Sequence, residues 1–289
     1  MNHGFSSQLR TLLVLGRVSN LPTVWSNCLA GWWLGGGGNL GKLPLLFLGV
    51  SALYLGGTFL NDAFDANYDR QFRNERPIPS GAISQREVWC WSWAWLGLGW
   101  LCLLPFGITT GALGLALILC IAIYNAAHKV VTISPWLMGV CRFFVYAITA
   151  AAGDSGITGW AIWCGLALGA YATGVGFLER RQYSRGIIPR WPLILLAVPI
   201  FLALVMNAGA YRKPALLMSL VLLLWSVRYL RVALWTANGN LRRAVAGLLA
   251  GIIFVDWLAI APECSRELGF VFLLLLGGTL LAQRFAPSK

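Results

Sequence analysis

Apolar runs of about the length of a membrane span follow one another along most of this chain. Ten stretches are dominated by Leu, Ile, Val, Ala, Phe and Trp: residues 19–37, 43–64, 88–107, 109–127, 134–152, 157–178, 191–209, 214–235, 244–261 and 267–284. A helix needs roughly 20 mostly apolar residues to cross the hydrocarbon core of a bilayer, and each stretch comes near that length. Breakers separate them: Gly35 to Gly38, Pro189 and Pro192, Pro214, Asn238-Gly239-Asn240, and Pro262. The pattern predicts an all-α polytopic membrane protein of nine to ten transmembrane helices, with residues 1–289 forming one domain. No internal repeat is visible.

Composition narrows the class. The chain is 58% hydrophobic and 11% charged, with a mean hydropathy of +0.70. A soluble domain carries about 25% charged residues, so an ordinary soluble fold, a disordered chain and a nucleic-acid-binding domain are excluded. The net charge of +12 therefore reflects loops rather than a nucleic-acid surface. With the N-terminus inside and ten crossings, 17 of the 22 Lys and Arg fall on the inner side. Lys42, Arg212, Lys213 and Arg266 fall outside, and Arg142 lies within the fifth stretch. Cytoplasmic loops collect Lys and Arg in this way. The expectation is an integral, multi-pass protein of a bacterial-type inner membrane with both termini cytoplasmic. The N-terminus lacks the apolar core and cleavage site of a removed signal peptide. The seven cysteines are scattered, mostly in apolar runs, and suggest neither a disulfide framework nor a zinc site.

One stretch breaks the apolar rule. Residues 60–70, LNDAFDANYDR, carry three of the ten carboxylates at the end of the second apolar run. At 3.6 residues per turn Asn61, Asp65 and Asp69 stack along one helix face, with Asp62 flanking it. Like charges at i, i+4 repel, and the helix dipole opposes anions at a C-terminus. A bound cation relieves both penalties. Oxygen donors without His or Cys favour Mg²⁺, which takes one or two carboxylates and fills its shell with water and substrate phosphates. The following residues, 70–81, read RQFRNERPIPSG and set Arg70, Arg73 and Arg76 beside the acids. Pro77 and Pro79 stiffen the turn and Gly81 permits unusual backbone angles. Arginines next to metal-binding acids suit a diphosphate–Mg²⁺ ligand, although loop arginines also follow from the charge asymmetry alone.

These residues resemble the UbiA superfamily of intramembrane prenyltransferases, 4-hydroxybenzoate polyprenyltransferase among them. Its first signature, NDxxDxxxDR, is matched by Asn61-Asp62-Ala63-Phe64-Asp65-Ala66-Asn67-Tyr68-Asp69-Arg70, and its RPxPSG turn by Arg76-Pro77-Ile78-Pro79-Ser80-Gly81. Arg17-Val18-Ser19-Asn20 is similar to the entry motif before the first span. Tyr124-Asn125 and His128-Lys129 are similar to the Tyr/Lys motif after the fourth. The likeness runs from about residue 10 to residue 260 or beyond. Two departures stand out. The second aspartate motif is degenerate, since the loop GFLERRQYSRG (176–186) holds Glu179 as its only acid. The family core has nine spans, so 267–284 reads as a C-terminal addition.

The resemblance implies a helical bundle around a central cavity open to the cytoplasmic side. It implies Mg²⁺-dependent transfer of a prenyl group from a prenyl diphosphate to an aromatic or other small acceptor, with diphosphate released. The implied metal and catalytic residues are Asn61, Asp65 and Asp69, with Asp62 beside them and Glu179 as a second-site ligand. Lys129, Arg73, Arg76 and Arg180 are implied diphosphate contacts, with Lys129 also catalytic. Arg17, Asn20 and Tyr124 are implied to face the unidentified acceptor. Membrane lipid is the surrounding partner. Arg142, inside an apolar stretch, is a candidate for function or for snorkelling to the interface, and Asp256, inside another, is a candidate structural partner for Arg142 or another polar group. Two rivals stand against this reading. A CDP-alcohol phosphotransferase also uses Mg²⁺ in a membrane, but its Asp-Gly-x-x-Ala-Arg start is missing here. A non-catalytic isoprenoid carrier on the same scaffold would fit the degenerate second motif.

Overall fold

A computed structural model describes residues 11–127, 134–180, 191–235 and 241–285, and every regular element among them is helical. Residues 11–15 are helical. They end at Arg17, whose left-handed backbone (φ 43°, ψ 46°) is unusual for a residue with a side chain. A short 3₁₀ turn, Val18–Asn20, then leads into α1, Leu21–Leu34, with Pro22 in its first turn. Next come α2 (Leu43–Phe72), α3 (Gln85–Leu103), α4 (Ile108–Ala127), α5 (Ser134–Ala151) and α6 (Gly159–Arg180). A 3₁₀ segment, Trp191–Ala197, precedes α7 (Val198–Met206). The chain continues through α8 (Arg212–Trp235), α9 (Leu241–Ala250), α10 (Ile252–Ile260) and α11 (Arg266–Phe285).

Each of the ten apolar stretches has a helical counterpart. Among the described residues, eight helical stretches are long and apolar enough to cross a membrane, with α9 and α10 counted as one. The other two are shorter. The Gly35–Gly38 run follows the end of α1. The seventh stretch, which holds Pro192 and Pro199, winds as 3₁₀ helix before it becomes α. The outward sides of α8 and α11 expose Leu217, Leu220, Leu224, Phe270, Leu274 and Leu281. A surface of that kind needs lipid around it, and the backbone polar groups are satisfied within helices as a bilayer demands. The chain is an integral membrane protein.

Small residues set a close helix crossing between α5 and α6. Gly165, Gly169 and Thr173 recur every fourth residue on α6 and face α5. A Cβ on Gly139 of α5 would overlap Thr173 Oγ1 and the Gly169 carbonyl, and one on Gly169 would sit 2.9 Å from the Gly139 carbonyl. The two backbones touch here because neither residue has a side chain.

The turn between α2 and α3 is held by a helix cap and a buried side chain. Ser84 and Glu87 form a reciprocal cap at the start of α3. Gly81 takes φ +76°, as a turn there requires. Ile78 is buried with Phe59, Ala63 and Ala66 of α2 and Val88 of α3. This apolar peg draws residues 73–81 back over the end of α2.

Candidate active site

Helices α1, α2, α4, α5, α6, α9 and α10 enclose a cavity of about 600 Å³. Its walls divide by chemistry. Val24, Leu53, Ile121, Met138, Val145 and Leu249 form apolar surface. Most of the polar groups come from helix ends and the residues beside them: Arg17 before α1, Asn61, Asp65 and Arg73 toward the end of α2, Tyr124 and Asn125 on α4, Glu179 and Arg180 ending α6, and Arg242 beginning α9, while Tyr54 and Arg142 add polar groups from within α2 and α5. From Val50 to Asp65 the α2 lining spans about 22 Å of helix axis. One compartment therefore joins an apolar chamber to a charged mouth.

The acids of α2 are withdrawn from solvent. Relative exposures are 8% for Asn61, 5% for Asp62, 7% for Asp65 and 2% for Asp69. They do not all face the same way. Asn61 and Asp65 line the cavity, whereas Asp62 and Asp69 do not. Asp62 Oδ1 instead accepts from Arg76 Nη1 at 2.9 Å and from Arg17 Nη2 at 3.3 Å. Asp69 Oδ1 accepts no hydrogen bond among the described residues, and Arg73 Nη1 lies 3.9 Å from it.

Asn61 joins α2 to α4 and to the turn before α1. Its Oδ1 accepts from Arg17 Nη2, and its Nδ2 donates to Asn125 Oδ1 at 3.1 Å. Asn125 Nδ2 in turn donates to the Ile121 carbonyl at 3.0 Å. Arg17 thus bonds to both Asn61 and Asp62 from its left-handed position. Strained backbone of this kind persists where surrounding contacts over-determine it, often at functional sites. Burial works against the Arg17 charge, yet Asp62, Tyr54 and Glu179 outweigh it and its pKa is raised. Across the mouth, Arg180 Nη1 donates to Ser134 Oγ at 2.7 Å. Asn20 lines the cavity with an Oδ1 that accepts no hydrogen bond among the described residues.

The cavity thus gathers Asn61, Asp65, Glu179, Arg73, Arg180, Arg17, Asn20 and Tyr124 from the sequence-predicted set. Asp62, Asp69 and Arg76 lie behind its wall. Lys129 and His128 fall outside the described residues. Asn125 and Arg242 line the cavity without having been singled out as ligand contacts. Asn125 adjoins Tyr124 in the quoted motif, and that adjacency was its only signal. Nothing in the sequence around Arg242 separates it from other loop arginines.

No group of three His, Cys, Asp or Glu side chains converges among the described residues. Mg²⁺ does not need one, since water and phosphate oxygens complete its shell. The acidic donors near the mouth are all carboxylate oxygens: Asp65 and Glu179 on the wall, with Asp69 one helical turn beyond Asp65. That set fits a hard cation rather than zinc. Four arginines, Arg17, Arg73, Arg180 and Arg242, face two acids there, so the mouth suits an anion that brings its own divalent ion.

A sequence model of the UbiA prenyltransferase family matches residues 20–261. A digeranylgeranylglyceryl phosphate synthase from Ignicoccus hospitalis is 35% identical over 107 residues, 37% of this chain and 35% of that protein. Another, from Sulfolobus acidocaldarius, is 30% identical over 109 residues, 38% of this chain and 36% of that one. The chain thus spans about a third of the length of these curated relatives. Solved structures share the fold across nearly all of it. A UbiA homolog from Aeropyrum pernix without ligand superposes with a TM-score of 0.65 at 18% identity, covering 84% of this chain and 97% of that one. A UbiA homolog from Archaeoglobus fulgidus bound to GPP and Mg²⁺ gives 0.57 at 13% identity, covering 94% and 98%.

Proposed function

The chain belongs to the UbiA prenyltransferase family, and from that premise we propose that it transfers a prenyl group from a prenyl diphosphate to a small acceptor within the membrane, releasing diphosphate. The observation that carries this reading is the single cavity with two chemistries. Its apolar chamber suits an isoprenoid chain. Its mouth combines Asp65 with Arg73, Arg180 and Arg242, a set that suits a magnesium diphosphate.

Asp65 holds the ion in this proposal, with Glu179 also on the cavity wall from α6 and Asp69, one turn beyond Asp65 and behind the wall, as the further carboxylate that would turn toward it. Bound there, Mg²⁺ would stabilise negative charge on the departing diphosphate. Asn61 keeps its amide oriented through Asn125 and Arg17 and sets the position of the neighbouring donors. Asp62 acts by holding Arg17 and Arg76 in place. Arg73 and Arg180 contact phosphate oxygens, joined by Arg242. Arg17, Asn20 and Tyr124 border the acceptor. The apolar walls exclude water from an allylic carbon that gains positive charge as its bond to oxygen breaks. The mouth and both termini are assigned to the cytoplasmic side on the Lys/Arg asymmetry.

The degenerate second acidic motif favours one alternative, an isoprenoid carrier without catalysis. The A. fulgidus homolog bound to GPP and Mg²⁺ supports a prenyl diphosphate as donor. The names of the curated relatives make a glyceryl phosphate one acceptor class to test. Mass spectrometry of lipid extracts from cells with and without the protein should show a prenylated product that Asp65→Asn removes. A product unchanged in the Asp65→Asn, Asp69→Asn double variant would leave only the carrier.

A further inference from the structure

Cys120 of α4 and Cys141 of α5 meet sulfur to sulfur, with their Sγ atoms 3.5 Å apart across 21 residues of sequence. Both are free thiols. Cys141 Sγ donates to Cys120 Sγ, and Cys120 Sγ donates to the Leu137 carbonyl at 3.8 Å, one turn earlier on α5. The hydrogen of Cys120 thus points away from its partner, and a sulfur lone pair points toward it. The seam they share joins two walls of the cavity.

The two thiols differ in access. Cys141 lines the cavity and is half-buried. It stands seven residues past Ser134, about 10 Å of helix axis in from the mouth, on the stretch of α5 that also presents Met138 and Val145 to the chamber. Cys120 is buried and does not line the cavity. A small neutral solute entering at the mouth reaches Cys141 and meets Cys120 only behind it. Cys28 and Cys164 are different: both are buried off the cavity wall, where a thiol serves as a small hydrophobe. An accessible thiol with a second at its back is the arrangement of an oxidation-sensitive pair. A disulfide needs its sulfurs about 2.05 Å apart, so the pair has only a short gap to close.

We propose that Cys120 and Cys141 form a peroxide-reactive dithiol on the cavity wall, with Cys141 attacked first and Cys120 resolving it to a disulfide. Cys141 Sγ takes one oxygen of hydrogen peroxide as the O–O bond breaks, and the thiol proton leaves with the other oxygen as water. Cys120 Sγ then attacks Cys141 Sγ. The S–S bond forms, the S–O bond breaks, and the hydroxyl leaves with the Cys120 proton as a second water. The two sulfurs together give up two electrons, and one peroxide becomes two waters. The new bond ties α4, which carries Tyr124, to α5, which carries Arg142, and so fixes two cavity walls relative to each other. A prenyl chain in the chamber covers Cys141, so the reaction belongs to the unoccupied protein. That last point rests on the reading of the cavity as a prenyl-transfer site, whereas the thiol chemistry does not.

The test treats the full chain in lipid nanodiscs with hydrogen peroxide and reads cysteines by alkylation and peptide mass spectrometry. The peptides holding Cys120 and Cys141 should become linked, with the loss of two hydrogens, and dithiothreitol should separate them. Cys120→Ser should instead trap Cys141 as a sulfenic acid that dimedone captures, while Cys141→Ser should leave Cys120 unmodified. Geranylgeranyl diphosphate with Mg²⁺ should slow the linkage at least about tenfold at saturation, since only the unoccupied fraction reacts. Inorganic diphosphate with Mg²⁺, which leaves the chamber empty, should not. Absence of the linked peptides, or a dimedone adduct on Cys120 in Cys141→Ser, overturns the dithiol. Linkage at an unchanged rate in protein shown to bind geranylgeranyl diphosphate overturns the shielding by substrate. Failure of geranylgeranyl diphosphate to bind at all overturns the reading of the cavity and leaves the thiol chemistry standing.

Discussion

Arg76 Nη1 donates to Asp62 Oδ1 at 2.9 Å across fourteen residues of sequence, so the turn after α2 returns to neutralise an acid of the helix it leaves. Arg17 meets the same oxygen at 3.3 Å. Asp62 is therefore a structural anchor within an acidic stretch whose neighbours face the cavity. Replacing it with Ala strands two partly buried guanidiniums. The expected loss is about 3 kcal/mol of stability, read as a lower unfolding temperature in detergent, with geranyl diphosphate affinity falling less than in Asp65→Asn. A variant that unfolds like the unaltered protein would refute the anchoring role.

Asp65 carries the opposite expectation. Asp65→Asn keeps the size of the side chain and removes its charge. Thermal stability should change little, and Mg²⁺-dependent binding of geranyl diphosphate should fall by about 100-fold, the scale seen when one electrostatic contact to a reacting group is lost. Chelation of divalent ions should reproduce the loss in the unaltered protein and add nothing to the variant. Equal binding with and without chelator would rule out a metal-held diphosphate.

The α5–α6 contact should tolerate no added bulk. Gly139→Ala introduces a methyl where Thr173 and the Gly169 backbone already stand. About 1–3 kcal/mol of destabilisation is expected from such overpacking, visible as a lower unfolding temperature. Thr173→Gly in the same chain should restore part of it, because the threonine hydroxyl is one of the two clashing groups.

The reciprocal cap of α3 gives a smaller and separable effect. Ser84→Ala removes the acceptor for the Glu87 N–H, which lies 3.2 Å from Ser84 Oγ. About 1 kcal/mol should be lost. Diphosphate binding should survive, since Ile78 still pegs the turn to α2.

Much of this architecture was legible in the sequence because hydrophobic length is a direct physical demand of a bilayer. Every apolar stretch became helix, and Gly35 and Pro262 fall at boundaries as expected. The departures are local. Helix α2 runs on to Phe72, past the expected 64, because its polar last turns pack beneath the 73–81 turn and not against lipid. The ninth stretch divides into α9 and α10 at Gly251. The side chains were harder to place. Helical periodicity put Asn61, Asp65 and Asp69 on one stripe with Asp62 at its edge. The packing turns Asp62 toward Arg76, and only the folded turn reveals that partner. Arg142 and Asp256 were natural candidates for mutual pairing. The link runs through Asn27, whose oxygen accepts from Arg142 and whose amide nitrogen donates to Asp256, because interhelical placement decides which polar groups meet and no periodicity encodes it.

The three donors that satisfy Asp256 come from α1 and α5, long before residue 256 in the chain. Until the ninth span inserts, Ser26, Asn27 and Tyr146 stand in the bilayer without that carboxylate. Helices drawn from the two ends of the chain are thus stitched together at one carboxylate, and a chain without α10 would lack the acceptor that these three donors share.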